Sequence, residues 1–310
     1  MTRHLVDEET ALVFEIFPPH DLTEETLPHL RTVTPLPDGV LPPLEPEVLV
    51  ASRAGQAEVA VRVFRTPDPD GPRPLILHIH GGGYVAGSAE MMDMSNAARA
   101  LQHGVVVASV EYRLAPEHPY PAAVEDCYTA LSWLVARSKD LDIDLAKVVI
   151  MGESAGGGLA AALALLCRDR GGPVVSAQFL IYPMLDYRVG TDADPYKNPT
   201  CGEFIWTRAS NRFGWASLAG SGSIPEQDLP YFSPALAQSL AGLPKTYMAT
   251  GSLDLFFDEN LNYASRLSHA GVPVELHAYA GAVHAFDLIP TARVSQCFAA
   301  DLDSALGRWL

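Results

Sequence analysis

Cationic residues are in short supply in this chain. Lys and Arg number 21 against 37 Asp and Glu, a formal net charge of -16 over 310 residues. Such a surface repels polyanions, so nucleic acid is not an expected partner. Cysteine is scarce too. Cys127, Cys167, Cys201 and Cys297 lie far apart and form no CxxC pair, which argues against a zinc site or a disulfide framework and predicts reduced thiols in the core. Long apolar runs are missing: the longest, Leu159 to Cys167, is far shorter than the ~20 residues that span a bilayer. The opening MTRHLVDEET has no apolar h-region and no small-residue cleavage site, and together these features predict a cytoplasmic protein. What is present is ordinary for a globular chain, 48% apolar and 19% charged, long enough for one large domain with a smaller appendage.

Residues 1–45 alternate charged and apolar positions at helical spacing, broken by Pro18-Pro19 and then by the Pro-rich stretch Pro35 to Pro46. They predict two short helices and a linker. Two Val-rich segments follow, Glu47 to Arg53 and Glu58 to Arg65, separated by a short Ala-Gly turn, as in an antiparallel edge hairpin. From Pro74 onward the pattern becomes short apolar runs: Leu75 to Ile79, Val105 to Val110, Val148 to Met151, Phe179 to Tyr182 and Thr246 to Thr250. Runs apolar at every position imply strands covered on both faces, as in a parallel sheet. Helical stretches lie between them at about Ala122 to Ser138, Ser154 to Asp169 and Asp258 to Ala270, with a last one near Val294 to Trp309. The alternation predicts a three-layer α/β sheet.

Residues 187–230 interrupt this rhythm by separating two strands far more than a usual connection does. The segment carries Trp206, Phe213 and Trp215 at near-helical spacing. Two readings fit it: an insertion that forms a lid with the N-terminal helices, or a peripheral helix whose aromatics fill core. No internal repeat is present.

The sharpest chemical signal is Gly152-Glu153-Ser154-Ala155-Gly156, at the junction between the strand Val148 to Met151 and the following helix. It is the G-x-S-x-G elbow in its required context, where flanking glycines let the chain turn tightly and expose the hydroxyl. Directly after the strand Leu75 to Ile79 comes His80-Gly81-Gly82-Gly83-Tyr84. Acyl transfer needs donors aimed at a developing oxyanion, a role that falls to the amides of Gly82, Gly83 and Ala155. An orienting acid and a base should follow at the ends of later strands, in that order. Asp254 closes Gly251-Ser252-Leu253-Asp254 after the strand Thr246 to Thr250, and His284 follows the strand Val274 to Tyr279. Asp258 and Glu259 are rival acids, but they suit a helix N-terminus. His78 and His80 place two imidazoles on one strand face without an evident third metal ligand.

HGGGY, then EYRLAPEHPYPA from Glu111 to Ala122, then GESAGGGLA from Gly152 to Ala160 resemble the hormone-sensitive-lipase-like family (family IV) of carboxylesterases. The resemblance extends to Tyr182-Pro183 with Asp186, to Ser233-Pro234, to GSLDLFFDE from Gly251 to Glu259, and to Phe286 after the base. It implies an α/β-hydrolase fold with residues 46–186 and 231–310 as core, and a helical cap built from 1–45 and 187–230. It also implies ester hydrolysis without metal or cofactor. Glu153 departs from the Asp that many relatives carry, and is expected to brace the glycine loop. Tyr84, Trp206, Phe213 and Trp215 are the expected pocket walls. The expected partner is a small-molecule ester; whether the chain forms a homo-oligomer is left open by the sequence. An amidase or formamidase with the same triad, and a silent small-molecule binder, stand as the alternatives.

Overall fold

In the central strands successive side chains enter opposite layers. Val148 and Ile150 join one apolar cluster while Val149 and Met151 join another, so a run without polar positions is what two covered faces require. The computed structural model describes residues 2–16, 21–32, 41–67 and 71–310. Its N-terminal part holds the short 3-10 turns Arg3–Leu5 and Thr10–Leu12 and the helices α1, Val13–Ile16, and α2, Leu27–Arg31. The predicted hairpin follows as β1, Glu47–Ala51, and β2, Val59–Phe64. Then come β3, Arg73–Ile79; α3, Asp93–His103; β4, Val106–Glu111; α4, Ala122–Ala136; β5, Ile143–Glu153; and α5, Ala155–Arg170. The chain continues with β6, Ala177–Ile181; α6, Arg208–Ala219; α7, Leu229–Phe232; β7, Lys245–Gly251; α8, Phe257–His269; β8, Val274–Tyr279; and α9, Arg293–Trp309.

The strands form one eight-stranded sheet in the order β1-β2-β4-β3-β5-β6-β7-β8. β1 and β2 are antiparallel to each other, and β2 to β4, whereas every later pairing is parallel. Helices α4, α5 and α8 pack on one face and α3 and α9 on the other. α5 is buried along its apolar length, from Ala155 to Cys167. α9 instead buries a single stripe, Phe298, Leu302, Ala305 and Leu306, at the spacing of an amphipathic helix. Burying such large side chains fully contributes roughly 1.5–3 kcal/mol each. β3 and β5 are neighbours, and the chain leaves β3 into α3 on one face and β5 into α5 on the other. A crevice at the carboxyl ends of β3 and β5 is the consequence, and this is where α/β sheets bind ligands.

Several sequence expectations need amendment. α3 was absent from them because its buried apolar residues are only Ala97 and Ala100, too small to make a visible stripe. β5 begins five residues before the predicted Val148, since its early half, Asp144 to Lys147, is not buried. Cys127, Cys167 and Cys201 are buried free thiols as expected, but Cys297 is exposed on α9. The Pro18-Pro19 break and the first part of the Pro35 to Pro46 linker lie outside the described residues. No described helix is long and apolar enough to cross a membrane.

Candidate active site

Ser154 sits between β5 and α5 with φ 55° and ψ -120°, a conformation that costs on the order of 1–3 kcal/mol and that the surrounding packing must enforce. A Cβ on Gly156 would lie 2.0 Å from the Ile79 carbonyl oxygen, so only glycine lets α5 start this close to β3. The neighbouring Gly157 and Gly158 also lie in tight contacts. A Cβ on Gly157 would meet Pro183 and the Gly152 carbonyl of β5, and one on Gly158 the Met184 carbonyl and the Tyr84 hydroxyl, so α5 lies close both to the sheet and to the segment just beyond β6.

The Ser154 hydroxyl lies 2.9 Å from His284 Nε2, and His284 Nδ1 lies 2.7 Å from Asp254 Oδ2. A carboxylate only accepts, so Nδ1 carries the proton and Nε2 is left to accept from Ser154. The remaining Asp254 oxygen accepts from the Phe256 amide at 2.9 Å. All three residues are nearly dry, 7% exposed for Ser154, 1% for Asp254 and 5% for His284. Tyr182 and Phe256 pack edge-on against the imidazole at 5.0 and 5.2 Å between ring centres. The two loops that carry Asp254 and His284 are tied to each other: Leu253 donates to the Ala282 carbonyl, Ser252 to that of Tyr279, and Gly281 to the Ser252 hydroxyl. The imidazole therefore has little freedom to turn.

The rival acids are engaged elsewhere. Asp258 accepts from the Asn198 side chain at 2.7 Å. Glu259, fully buried, accepts from the amides of Leu185 and Asp186 at 2.7 and 3.2 Å, and burial pushes its carboxyl well above the usual range. Together with Asn260, which donates to the Pro183 carbonyl, it fastens α8 to the segment that backs Ser154. Sequence reasoning saw only a helix N-terminus there.

Three backbone amides are aimed by the carbonyls of their own peptide units, because N–H and C=O of one planar trans unit point in opposite directions. The Gly81 carbonyl accepts from His80 Nδ1 at 2.8 Å, which sets the Gly82 amide. The Gly82 carbonyl accepts from Val85 and Ala86 at 3.1 and 2.9 Å, which sets the Gly83 amide. The Ser154 carbonyl accepts from Gly158 and Met184, both at 3.0 Å, which sets the Ala155 amide. Fixed donors of this kind stabilise developing negative charge without reorganising.

His80 is thus a loop-fixing residue, stacked on Tyr112 at 4.1 Å. Burial pushes its imidazole down to about 4, and its Nε2 has no partner among the described residues. A neutral ring keeps that bare nitrogen from becoming a buried, unpaired donor. The unfolded chain takes up this proton near the ordinary histidine value of about 6.5 while the folded chain does not, so stability is lost as pH falls from there to about 4, by roughly 3 kcal/mol. Urea unfolding should find the advantage of the parent over His80→Gln constant above pH 7 and shrinking by that amount at pH 4. A difference independent of pH would contradict the assignment.

His78 engages different groups, Ser109 through Nδ1 and Glu153 through Nε2 at 2.9 Å, so the two imidazoles do not converge. Burial pushes the Glu153 carboxyl up, but His78 and Arg99 outweigh it and hold it below the usual range. Glu153 therefore braces β3 through its side chain, while its backbone oxygen meets Gly81 of the glycine loop. Among the described residues no cluster of three or more His, Cys, Asp or Glu is arranged to hold a metal ion.

Of the four aromatics expected as pocket walls, Trp206 is the one whose ring pairs with that of His284. A Cβ on Gly83, which has φ 62°, would lie 2.1 Å from the Trp206 ring, and the indole centre is 6.4 Å from that of His284. Tyr84 and Trp215 pack together at 5.1 Å, both buried, with the Tyr84 hydroxyl donating to the Met184 carbonyl. Phe213 is half-buried against the main core.

Residues 76–288 match the family described as alpha/beta hydrolase fold. Esterase LipI of Mycobacterium tuberculosis is 35% identical over 252 residues, 79% of this chain and 77% of its own length. Carboxylesterase NlhH of the same organism is 31% identical over 287 residues, 91% of this chain and 88% of its own. The solved structure of a bacterial heroin esterase superposes with a TM-score of 0.88 at 37% identity, covering 100% of this chain and 99% of that one. The motifs, the sheet order and these likenesses agree: the chain belongs to the alpha/beta hydrolase fold family, in its hormone-sensitive-lipase-like carboxylesterase branch.

Proposed function

We propose that this enzyme hydrolyses short- to medium-chain carboxylic esters through an acyl-enzyme on Ser154. The observation that carries the reading is the unbroken chain Ser154, His284, Asp254 beside three amides whose directions are set by their own peptide planes. Ser154 Oγ attacks the ester carbonyl as His284 Nε2 takes its proton, and the new oxyanion rests on the amides of Gly82, Gly83 and Ala155. His284 returns the proton to the leaving alkoxide. Water then repeats the sequence on the acyl-enzyme and frees the acid. Asp254 remains ionised and keeps the imidazole in the productive tautomer.

We assign the cap to residues 1–45 and 187–230. Contacts between the two parts support this: Leu22 donates to the Ser210 hydroxyl, the Thr207 hydroxyl to Asp21, and Phe14 lies 4.8 Å from Phe204. Trp206 roofs the glycine loop from this cap, so it limits the acyl chain. With p-nitrophenyl esters from acetate to palmitate and matched anilides, the parent should cleave esters and prefer the shorter chains. Trp206→Ala should shift the optimum to longer chains with a smaller relative effect on melting temperature. Anilide cleavage matching ester cleavage would favour an amidase, and a change in stability alone would make Trp206 a core residue.

A further inference from the structure

The strongest unassigned contact joins the N-terminal segment to the glycine loop. Arg31, the last residue of α2, donates from Nε to the Val85 carbonyl at 2.7 Å and from Nη2 to the Ala115 carbonyl at 2.9 Å. Its two terminal nitrogens also grip Glu117 at 2.7 and 2.8 Å, and the guanidinium holds that carboxyl down at about 2. The pair is therefore ionised throughout any working range. Leu22 and Leu27, buried in the main core, anchor the same segment.

Val85 has a second connection. Its amide is one of the two donors on the Gly82 carbonyl, and the Ala115 amide donates to the Tyr84 carbonyl. Arg31 thus backs residues 82–85 through a chain of contacts: guanidinium to the Val85 carbonyl, whose peptide unit carries the Ala86 amide, the Val85 and Ala86 amides to the Gly82 carbonyl, and the Gly82 carbonyl opposite the Gly83 amide. On the far side of the loop, a Cβ at Gly214 of α6 would come within 2.8 Å of the Gly83 carbonyl oxygen. The turn is held from both halves of the assigned cap.

We propose that Arg31 is a positioning residue for the oxyanion loop, making acyl transfer depend on a guanidinium supplied from outside the α/β core. The proposal rests on the reading that the Gly83 amide receives the oxyanion. Arg31 touches no substrate. It acts through Val85, and only a fork of donors serves two carbonyls and a carboxylate at once, so lysine cannot replace it.

The experiment measures kcat and KM for a p-nitrophenyl ester in the parent, Arg31→Ala, Arg31→Lys and Glu117→Gln, each normalised to sites titrated with a fluorophosphonate. Arg31→Ala should lower kcat per titrated site by about 10- to 30-fold, with KM within about twofold, because a misplaced donor is felt in the transition state. Arg31→Lys should recover only part of this and supplies the same reading should the alanine variant fold poorly. Glu117→Gln leaves the Val85 and Ala115 bonds in place and should stay within about threefold of the parent. A merely structural arginine would reduce the titratable fraction or the melting temperature while kcat per site stayed at the parent value, and that result overturns the proposal. So does an equal loss in Glu117→Gln, which would assign the effect to the ion pair. A parent that neither labels nor turns over esters overturns the esterase reading itself, and is told apart because the failure is then in the unmodified enzyme.

Discussion

Ser154→Ala should lose ester turnover by about 10⁵- to 10⁶-fold, the scale on which serine hydrolases lose activity when the nucleophile goes. The loss is confined to chemistry. Ser154 donates one side-chain hydrogen bond, to His284, and alanine inherits the same strained φ of 55°, so melting temperature and near-UV circular dichroism should stay close to the parent values. The amides of Gly82, Gly83 and Ala155, proposed to hold the oxyanion, survive in the variant, and a residual rate above that of water is expected from them. Turnover within about tenfold of the parent would show that another group attacks the ester.

Asp254→Asn should cost about 10³- to 10⁴-fold in kcat, for a reason specific to this loop. The Phe256 amide donates to Asp254 Oδ1, so an asparagine would turn its oxygen toward Phe256 and present its amide nitrogen to His284 Nδ1. The imidazole would then have to accept at Nδ1 and carry its proton on Nε2, where it cannot take one from Ser154. Asp254→Ala imposes no tautomer and should retain more activity than Asp254→Asn. Equal activity in the parent and the asparagine variant would remove Asp254 from the mechanism and return the role to another acid.

The elbow and the acid were legible because each lies at the junction of an apolar run with a glycine-bearing turn, a pattern carried by adjacent residues. His284 could be chosen among ten histidines because it follows the last strand, itself of mixed polarity, and the structure places its ring between Ser154 and Asp254. What was not legible depends on partners far apart in the chain. Arg31 meets Val85 across 54 residues and Glu259 meets Leu185 across 74, and no local pattern announces either. Tyr182 was noted only as part of a motif, yet its ring packs on His284 while its hydroxyl donates to Asp287 at 2.8 Å. α3 escaped notice for a different reason, since a stripe of alanines is apolar without being conspicuous. Glu153 was expected to brace the loop, and the reach to His78 depends on β3 and β5 being neighbours in the sheet, a pairing invisible in either segment alone.

To test for an acyl-enzyme on Ser154, the parent is treated with a fluorophosphonate, ester turnover is followed to its end, and the adduct is mapped by mass spectrometry of peptides. One adduct per chain is expected, on the peptide containing Ser154, formed in step with the loss of activity and absent from Ser154→Ala. An adduct on any other residue, or full ester turnover by protein that carries the adduct on Ser154, would contradict the acyl-enzyme on Ser154.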